Sequence, residues 1–163
     1  MNIYLIGMPG SGKTTLGQKL ATALDMPYID LDQYIEQKQM LFIDEIFAFY
    51  GVEKFREVET EALKEVMNQN AVISTGGGIV MEKINKSYMK GLVIYINTPI
   101  ETIKKRLENS YERPLLKDNS LEALYDLRFL KYQGFADRIV ANNDSLDKAV
   151  ADMVKIVHDW RMK

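Results

Sequence analysis

The segment that most constrains this chain is Gly-Met-Pro-Gly-Ser-Gly-Lys-Thr at residues 7–14, which fits the pattern G-x-x-x-x-G-K-[ST]. An apolar run at residues 2–6 precedes it, and residues 13–24 place leucine and alanine on one helical face. Between a strand and a helix, such a loop points backbone N–H groups and the positive end of a helix dipole at a phosphate. The segment therefore predicts a nucleoside triphosphate site. A glycine-rich turn that binds nothing is the alternative.

Specific residues of this loop have expected roles. The Lys13 ammonium is placed to neutralise charge on the β- and γ-phosphates, and the Thr14 hydroxyl is placed to ligate Mg²⁺, which prefers oxygen ligands. The residues expected to contact the nucleotide are Gly10, Ser11, Gly12, Lys13, Thr14 and Thr15.

Composition limits the other chemistry that is available. The chain has 163 residues, 47% of them hydrophobic, which suits a single domain over residues 1–163. Its 23 acidic and 21 basic residues leave a formal charge of −2, so no global field attracts nucleic acid or an anionic membrane. The absence of cysteine excludes thiolate sites, and a single histidine, His158, argues against imidazole triads and zinc sites. Carboxylates, lysines, arginines, backbone groups or a hard metal ion must act instead.

The order of apolar patterns predicts an α/β fold. Strands are expected at residues 2–6, 27–30, 71–75, 92–96 and 138–141. Helices are expected at residues 13–24, 31–38, 43–50, 52–69, 81–89, 99–109, 120–134 and 146–161. Alternating strands and helices form a mostly parallel sheet covered on both faces. No run reaches the roughly 20 apolar residues of a membrane span, and the opening run is too short for a signal segment. Because a chain without cysteine carries no mark of an oxidising compartment, the cytoplasm is our default expectation.

Two further polar segments are expected at the carboxyl edge of that sheet. Asp30 and Asp32 follow the second strand and point the same way if the strand persists, although a turn with a helix N-cap is the alternative for this pair. The third strand leads into Gly76, Gly77 and Gly78, whose missing side chains would expose amides to a substrate. A plain turn is the alternative for these glycines.

Arginine is scarce, with six residues against fifteen lysines, so each position is informative. Arg56 lies in a helical stripe next to Phe55, where Glu59 is three residues away, and a surface ion pair is the alternative to a binding role. Arg113 lies in the polar stretch between two helices, where a mobile lid would be found. A solvated loop arginine is the alternative there.

The nucleotide loop alone leaves switches, motors, ATPases and small-molecule kinases open. A guanine-reading Asn/Thr-Lys-x-Asp motif is missing, since residues 97–100 read Asn-Thr-Pro-Ile. The chain is also short for a motor or a transporter ATPase. These observations favour a small-molecule kinase.

The chain resembles the shikimate kinase family in motifs that occur in family order over nearly its whole length. Besides the loop, these motifs are Asp30-Leu31-Asp32, Ile46-Phe47, Phe55-Arg56-x-x-Glu59, Ser74-Thr75-Gly76-Gly77-Gly78, Arg113-Pro114-Leu115-Leu116 and Arg128-x-x-x-Tyr132. The resemblance implies a three-layer α/β/α P-loop NTPase fold with a five-stranded parallel sheet. It also implies substrate-binding helices at residues 31–60, a lid at residues 110–119, and ATP-dependent phosphorylation of the shikimate 3-hydroxyl.

The resemblance also implies roles for residues that bind shikimate. Arg56 and Arg128 would clamp its carboxylate, which suits paired guanidinium groups. Asp32 would orient the 3-hydroxyl and take its proton. Gly76, Gly77 and Gly78 would contact the ring substituents, and Phe47 and Phe55 would form apolar walls.

On the nucleotide side, the resemblance implies that Lys13 and Arg113 stabilise the transferring phosphoryl group and that Arg106 stacks on adenine. Thr14 would hold Mg²⁺ directly, while Asp30 and Ser74 would hold it through water. We expect a monomer whose partners are shikimate and ATP, with no nucleic acid and no membrane.

This chain departs from the family pattern in two places. The family usually has Arg-x-Pro-x-Tyr where residues 128–132 read Arg-Phe-Leu-Lys-Tyr, and residues 141–145 lack the family's late basic residue near adenine. A gluconate-type sugar-acid kinase or a nucleoside monophosphate kinase is the nearest alternative, because a sugar acid also offers a carboxylate and hydroxyls. A nucleotide-binding regulator without catalysis is the alternative from another class.

Overall fold

The computed structural model describes residues 1–108, 120–143 and 145–163. The strands within these residues are β1 (Asn2–Ile6), β2 (Tyr28–Asp30), β3 (Val72–Ser74), β4 (Gly91–Asn97) and β5 (Arg138–Ala141). The helices are α1 (Lys13–Leu24), α2 (Leu31–Gln39), α3 (Ile43–Glu65), α4 (Asn85–Tyr88), α5 (Ile100–Glu108), α6 (Leu121–Phe135) and α7 (Leu146–Arg161), with a 3₁₀ turn at Ile79–Met81.

The five strands form one parallel sheet in the order β2-β3-β1-β4-β5. This is the three-layer α/β/α arrangement predicted from the sequence. Because all strands run the same way, their carboxyl ends meet at one edge. The glycine loop follows the central strand β1, so it lies in the middle of that edge.

Hydrophobic layers pack on both faces of the sheet. Along β1, Ile3 and Leu5 join a core formed with α1 and α7, whereas Tyr4 and Ile6 join a core formed with α2, α3 and α6. Strands buried on both faces read as continuous apolar runs, which is why β1 and β4 were recognisable in the sequence. Double-sided packing holds the strand ends, and therefore the loops of the site, in fixed positions.

The structure corrects the predicted end of one helix and joins two predicted helices into one. The helix predicted at residues 52–69 ends at Glu65, where the Asn2 amide donates to the carbonyls of Val66 and Met67 at 2.9 Å each. Gly51, with φ of 84°, breaks the helical geometry inside α3. A positive φ of this kind is tolerated best by glycine, so α3 bends where the sequence predicted two helices.

The helix predicted at residues 81–89 is wrong. The chain instead forms the 3₁₀ turn at Ile79–Met81 and the single-turn helix α4. Buried Asn85 donates from its amide to the Ile79 carbonyl at 2.9 Å and accepts from the Thr60 hydroxyl at 2.7 Å. Such side-chain bonds compete with a regular helix. None of the helices in the described ranges is long and apolar enough to cross a membrane.

Candidate active site

The glycine loop forms one wall of a cleft of about 420 Å³ at the carboxyl edge of the sheet. Gly10 and Gly12 adopt φ values of 80° and 100°, which L side chains rarely tolerate. The Ser11 N–H donates to the Met8 carbonyl at 3.1 Å, and the last two residues of the loop, Lys13 and Thr14, already belong to α1. The six residues of the loop region that were predicted to bind the nucleotide all line this cleft: Gly10, Ser11, Gly12, Lys13, Thr14 and Thr15.

Lys13 is held inside the loop. Its ammonium nitrogen Nζ donates to the carbonyls of Gly7 at 2.6 Å and Met8 at 2.9 Å, and the residue is only 8% exposed. Carbonyl oxygens compensate the cost of burying this cation. The loop therefore keeps a positive charge at the place where phosphate oxygens are expected.

Asp30 and Asp32 both line the same cleft, as predicted. The prediction assumed that both residues belong to one strand, and that assumption is wrong. The strand β2 stops at Asp30 and α2 begins at the next residue, so the condition that the strand persists does not hold. Asp30 is the N-cap of α2, and its Oδ1 accepts from the Gln33 N–H at 3.2 Å. Asp32 lies in the first helical turn, where the helix dipole favours a carboxylate.

The triglycine segment, consisting of Gly76, Gly77 and Gly78, lies against the predicted substrate residues. A Cβ on Gly76 would stand 2.9 Å from the Asp32 Oδ1 and 3.1 Å from the Glu59 Oε2. A Cβ on Gly77 would stand 3.2 Å from the Arg128 Nη1, and one on Gly78 would overlap the Arg56 guanidinium. Glycine is therefore needed here so that four charged side chains can approach one stretch of backbone.

Arg56 is fixed by two contacts within α3. Its Nη1 donates to the Glu59 Oε1 at 2.9 Å, and its guanidinium lies 5.4 Å from the centre of the Phe55 ring. Phe55 in turn stacks on Phe47 with ring centres 4.7 Å apart. The ion pair is buried, so it is not the surface pair that the spacing alone also allowed.

Arg128 and Tyr132 lie four residues apart on one buried face of α6. The helix runs unbroken through them, since this chain lacks the proline found in the family pattern. The Tyr132 hydroxyl donates to the Gly77 carbonyl at 2.5 Å. Burial raises the pKa of Tyr132 to about 12, although the Arg128 guanidinium lowers it, so the phenol stays a donor. Sequence reasoning included Tyr132 in a motif but assigned it no contact.

Glu59 was identified from the sequence only as a partner for Arg56. Its carboxyl group is fully buried, and burial raises its pKa to about 7. The Arg56 guanidinium acts in the opposite direction, Asp32 raises the pKa further, and Arg128 lowers it. Two guanidinium groups and two carboxyl groups thus face each other around the triglycine segment.

Arg106 binds the backbone of the loop. Its Nη1 donates to the Gly10 carbonyl at 2.9 Å, and it lines the cleft together with Leu146. Two residues that the sequence did not suggest bind the loop nearby. The Thr98 hydroxyl donates to the Ser11 carbonyl at 2.6 Å, and the Asn142 amide donates to the same oxygen at 3.0 Å. Arg113 and the predicted lid at residues 110–119 lie outside the described residues.

A loop of the pattern G-x-x-x-x-G-K-[ST] after the central strand of this parallel sheet, beside a cluster of arginine and carboxylate side chains, is the arrangement of a small P-loop kinase. A model of the family described as "Shikimate kinase" matches residues 9–158. The chain therefore belongs to the shikimate kinase family.

Individual relatives agree with this assignment over nearly full length. A shikimate kinase of Clostridium botulinum (strain Alaska E43 / Type E3) is 40% identical, with 95% of this chain and 96% of the relative covered. The structure titled as shikimate kinase from Acinetobacter baumannii in complex with shikimate has a TM-score of 0.92 at 32% identity, covering 99% and 95% of the two chains. Shikimate kinase from Aquifex aeolicus has a TM-score of 0.85 at 34% identity, covering 97% and 96%.

Proposed function

We propose that this protein transfers the γ-phosphoryl group of ATP to the 3-hydroxyl of shikimate, giving shikimate 3-phosphate and ADP. The observation that carries the proposal is the continuity of the site. One cleft is lined by the phosphate loop, Asp32 and the first two glycines of the triglycine segment, and Arg56 and Arg128 lie against the same segment. A phosphoryl donor and an anionic acceptor can therefore be held next to each other.

The carboxylate of shikimate would bind between Arg56 and Arg128. Within the described part of the chain, the Arg128 Nε is buried and has no hydrogen-bond partner. An unmade bond of this kind costs about 1–3 kcal/mol, so a ligand that supplies an acceptor gains that energy on binding. The planar carboxylate of shikimate matches the fork of a guanidinium group. The stacked rings of Phe47 and Phe55 would form the apolar wall beside it.

The acceptor hydroxyl would bind Asp32, next to Gly76. As the oxygen bonds to the γ-phosphorus, its proton passes to the Asp32 carboxylate. The bond between the γ-phosphorus and the bridging oxygen breaks, and its electron pair leaves on ADP. Because phosphoryl transfer depends mainly on positioning and electrostatics, Asp32 need not be a strong base.

The nucleotide would bind along the loop. The backbone amides and Lys13 would hold the phosphates, and Arg113 would stabilise the transferring group. Arg106 would stack on the adenine, and Leu146 lines the same cleft. The protein would act in the cytoplasm, where ATP is made available to such reactions, and we expect it to be a monomer.

The oxygen donors in the cleft fit Mg²⁺. Thr14 and Asp30 both line it, and hard oxygen ligands with retained waters are what this ion prefers. No group of three or more His, Cys, Asp or Glu side chains forms a metal cage in the described residues, so the ion would be shared with the nucleotide phosphates. Thr14 would hold it directly, and Asp30 and Ser74 through water. When bound, Mg²⁺ would neutralise charge on the β- and γ-phosphates.

A coupled assay of ADP release tests this proposal. Shikimate, gluconate and nucleoside monophosphates are compared at equal concentrations with ATP and Mg²⁺. Of the compared acceptors, we expect only shikimate to support ADP release. The rate of ADP release should fall strongly with shikimate methyl ester, which keeps the hydroxyls but lacks the carboxylate charge. Turnover of gluconate or of a nucleoside monophosphate, with none on shikimate, would contradict the proposal. ADP release that is independent of any acceptor would also contradict it.

A further inference from the structure

Two side chains from strand ends hold a single carbonyl on the outer side of the phosphate loop. Thr98 follows β4 directly and Asn142 follows β5 directly, and the two strands pair in register just before them. Both residues donate to the Ser11 carbonyl, from the Thr98 Oγ1 at 2.6 Å and from the Asn142 Nδ2 at 3.0 Å. Thr98 is 2% exposed and Asn142 is 4% exposed.

The position of Asn142 is itself well defined. Its backbone N–H donates to the Asn97 carbonyl at 3.0 Å, which extends the pairing of β4 with β5 by one more bond. A Cβ on Gly12 would stand 2.9 Å from the Asn142 Nδ2. The side chain therefore fits against the loop only because residue 12 is glycine.

The two bonds determine which way one peptide unit of the loop faces. In a trans peptide the C=O and the following N–H point in opposite directions. Holding the Ser11 carbonyl outward, against β4 and β5, therefore turns the Gly12 N–H inward, toward the cleft. If the carbonyl were released, this peptide could rotate and present an oxygen to the phosphates, which would repel them.

We propose that Thr98 and Asn142 are positioning residues for the nucleotide: they hold the Ser11–Gly12 peptide so that its N–H can bind a phosphate oxygen. The inference rests on the proposed use of the loop for ATP. It concerns nucleotide affinity and not the acceptor, so it can be tested apart from the identity of the acceptor. The two donors act on one oxygen from two separate strands, so each can be removed independently.

The test uses the full-length protein with two substitutions and a rescue. Thr98→Val keeps the shape but removes the hydroxyl, Thr98→Ser keeps the hydroxyl, and Asn142→Asp replaces the donor amide with a carboxylate. The matched controls are Thr22→Val, on the exposed far part of α1, and Asn68→Asp, in the exposed turn after α3. The Kd for ADP is measured by calorimetry, the KM values for ATP and shikimate by the coupled assay, and folding by thermal unfolding.

We expect Thr98→Val and Asn142→Asp each to raise the Kd for ADP and the KM for ATP by about 5- to 100-fold, as for the loss of a buried hydrogen bond. The KM for shikimate at saturating ATP should change less than about twofold, and Thr98→Ser should restore most of the affinity for ADP. Both controls should behave as the unsubstituted protein does.

Three results would overturn the positioning role. The first is unchanged ADP affinity in folded Thr98→Val and Asn142→Asp proteins. The second is a lower Tm with equal effects on both KM values, and the third is no rescue by Thr98→Ser. If the protein binds ADP but does not phosphorylate shikimate, the proposed function fails and the calorimetric comparison still decides the role of Thr98 and Asn142. If Thr98→Val does not fold, the Asn142→Asp protein decides it alone.

Discussion

Replacing Glu59 with glutamine tests the electrostatics of the buried cluster. The Glu59 Oε1 accepts from the Arg56 Nη1 at 2.9 Å, and its Oε2 is buried with no hydrogen-bond partner among the residues described. Burial raises the pKa of this carboxyl from 4.5 to about 7. Glutamine keeps the acceptor that faces Arg56 and removes the titration.

The sign of the effect follows from proton linkage. A raised pKa means that the folded protein binds the proton more tightly than the unfolded chain does. The stability contributed by protonated Glu59 is therefore complete below about pH 4.5 and is lost as the pH rises through about 7. One pKa unit corresponds to about 1.4 kcal/mol, so between pH 5 and pH 8 the loss is roughly 2–3 kcal/mol.

Urea unfolding at pH 5 and pH 8 measures this difference. We expect the free energy of unfolding of the unsubstituted protein, relative to that of Glu59→Gln, to fall by roughly 2–3 kcal/mol between the two pH values. Glu57→Gln, at an exposed position of the same helix, should show no such change. A difference that does not depend on pH, or that grows as the pH rises, would refute the reasoning.

Other substitutions separate the roles of the site residues. Asp32→Asn should keep the affinity for ATP and lower kcat by roughly 10²-fold or more, because a general base is lost. An unchanged kcat in the coupled assay would remove Asp32 from the mechanism. Arg56→Lys should raise the KM for shikimate by roughly 10- to 100-fold, and a shift confined to ATP would place Arg56 in the nucleotide subsite. Tyr132→Phe should lower the unfolding free energy by about 1 kcal/mol in urea titrations, and unchanged stability would show that its bond to Gly77 contributes nothing.

The sheet was predictable because its signals are local. Runs such as residues 2–6 and 92–96 are buried on both faces, and their composition shows this directly. The helix ends were harder to predict, because distant side chains determine them. Asn2, the first residue of β1, binds the Val66 carbonyl just after the end of α3. Asn85, within the helix predicted at residues 81–89, accepts a hydrogen bond from Thr60 of α3. A pattern within one segment contains neither contact.

The same distinction applies to the site. The loop residues and the triglycine segment were recognisable because clustered glycines are a local pattern, which indicates that other groups approach the backbone closely. Thr98 and Asn142 bind Ser11 across 87 and 131 residues of chain, respectively. Their importance depends on β4 and β5 ending side by side, which only the assembled sheet shows.

The measurement that tests the central claim most directly is ¹H–³¹P correlation NMR of the product formed from ATP and shikimate. The proposed binding of the 3-hydroxyl to Asp32 predicts one new phosphate monoester, with its phosphorus coupled to the ring proton at C3. Coupling to the proton at C4 or C5, or free phosphate with unaltered shikimate, would contradict the account.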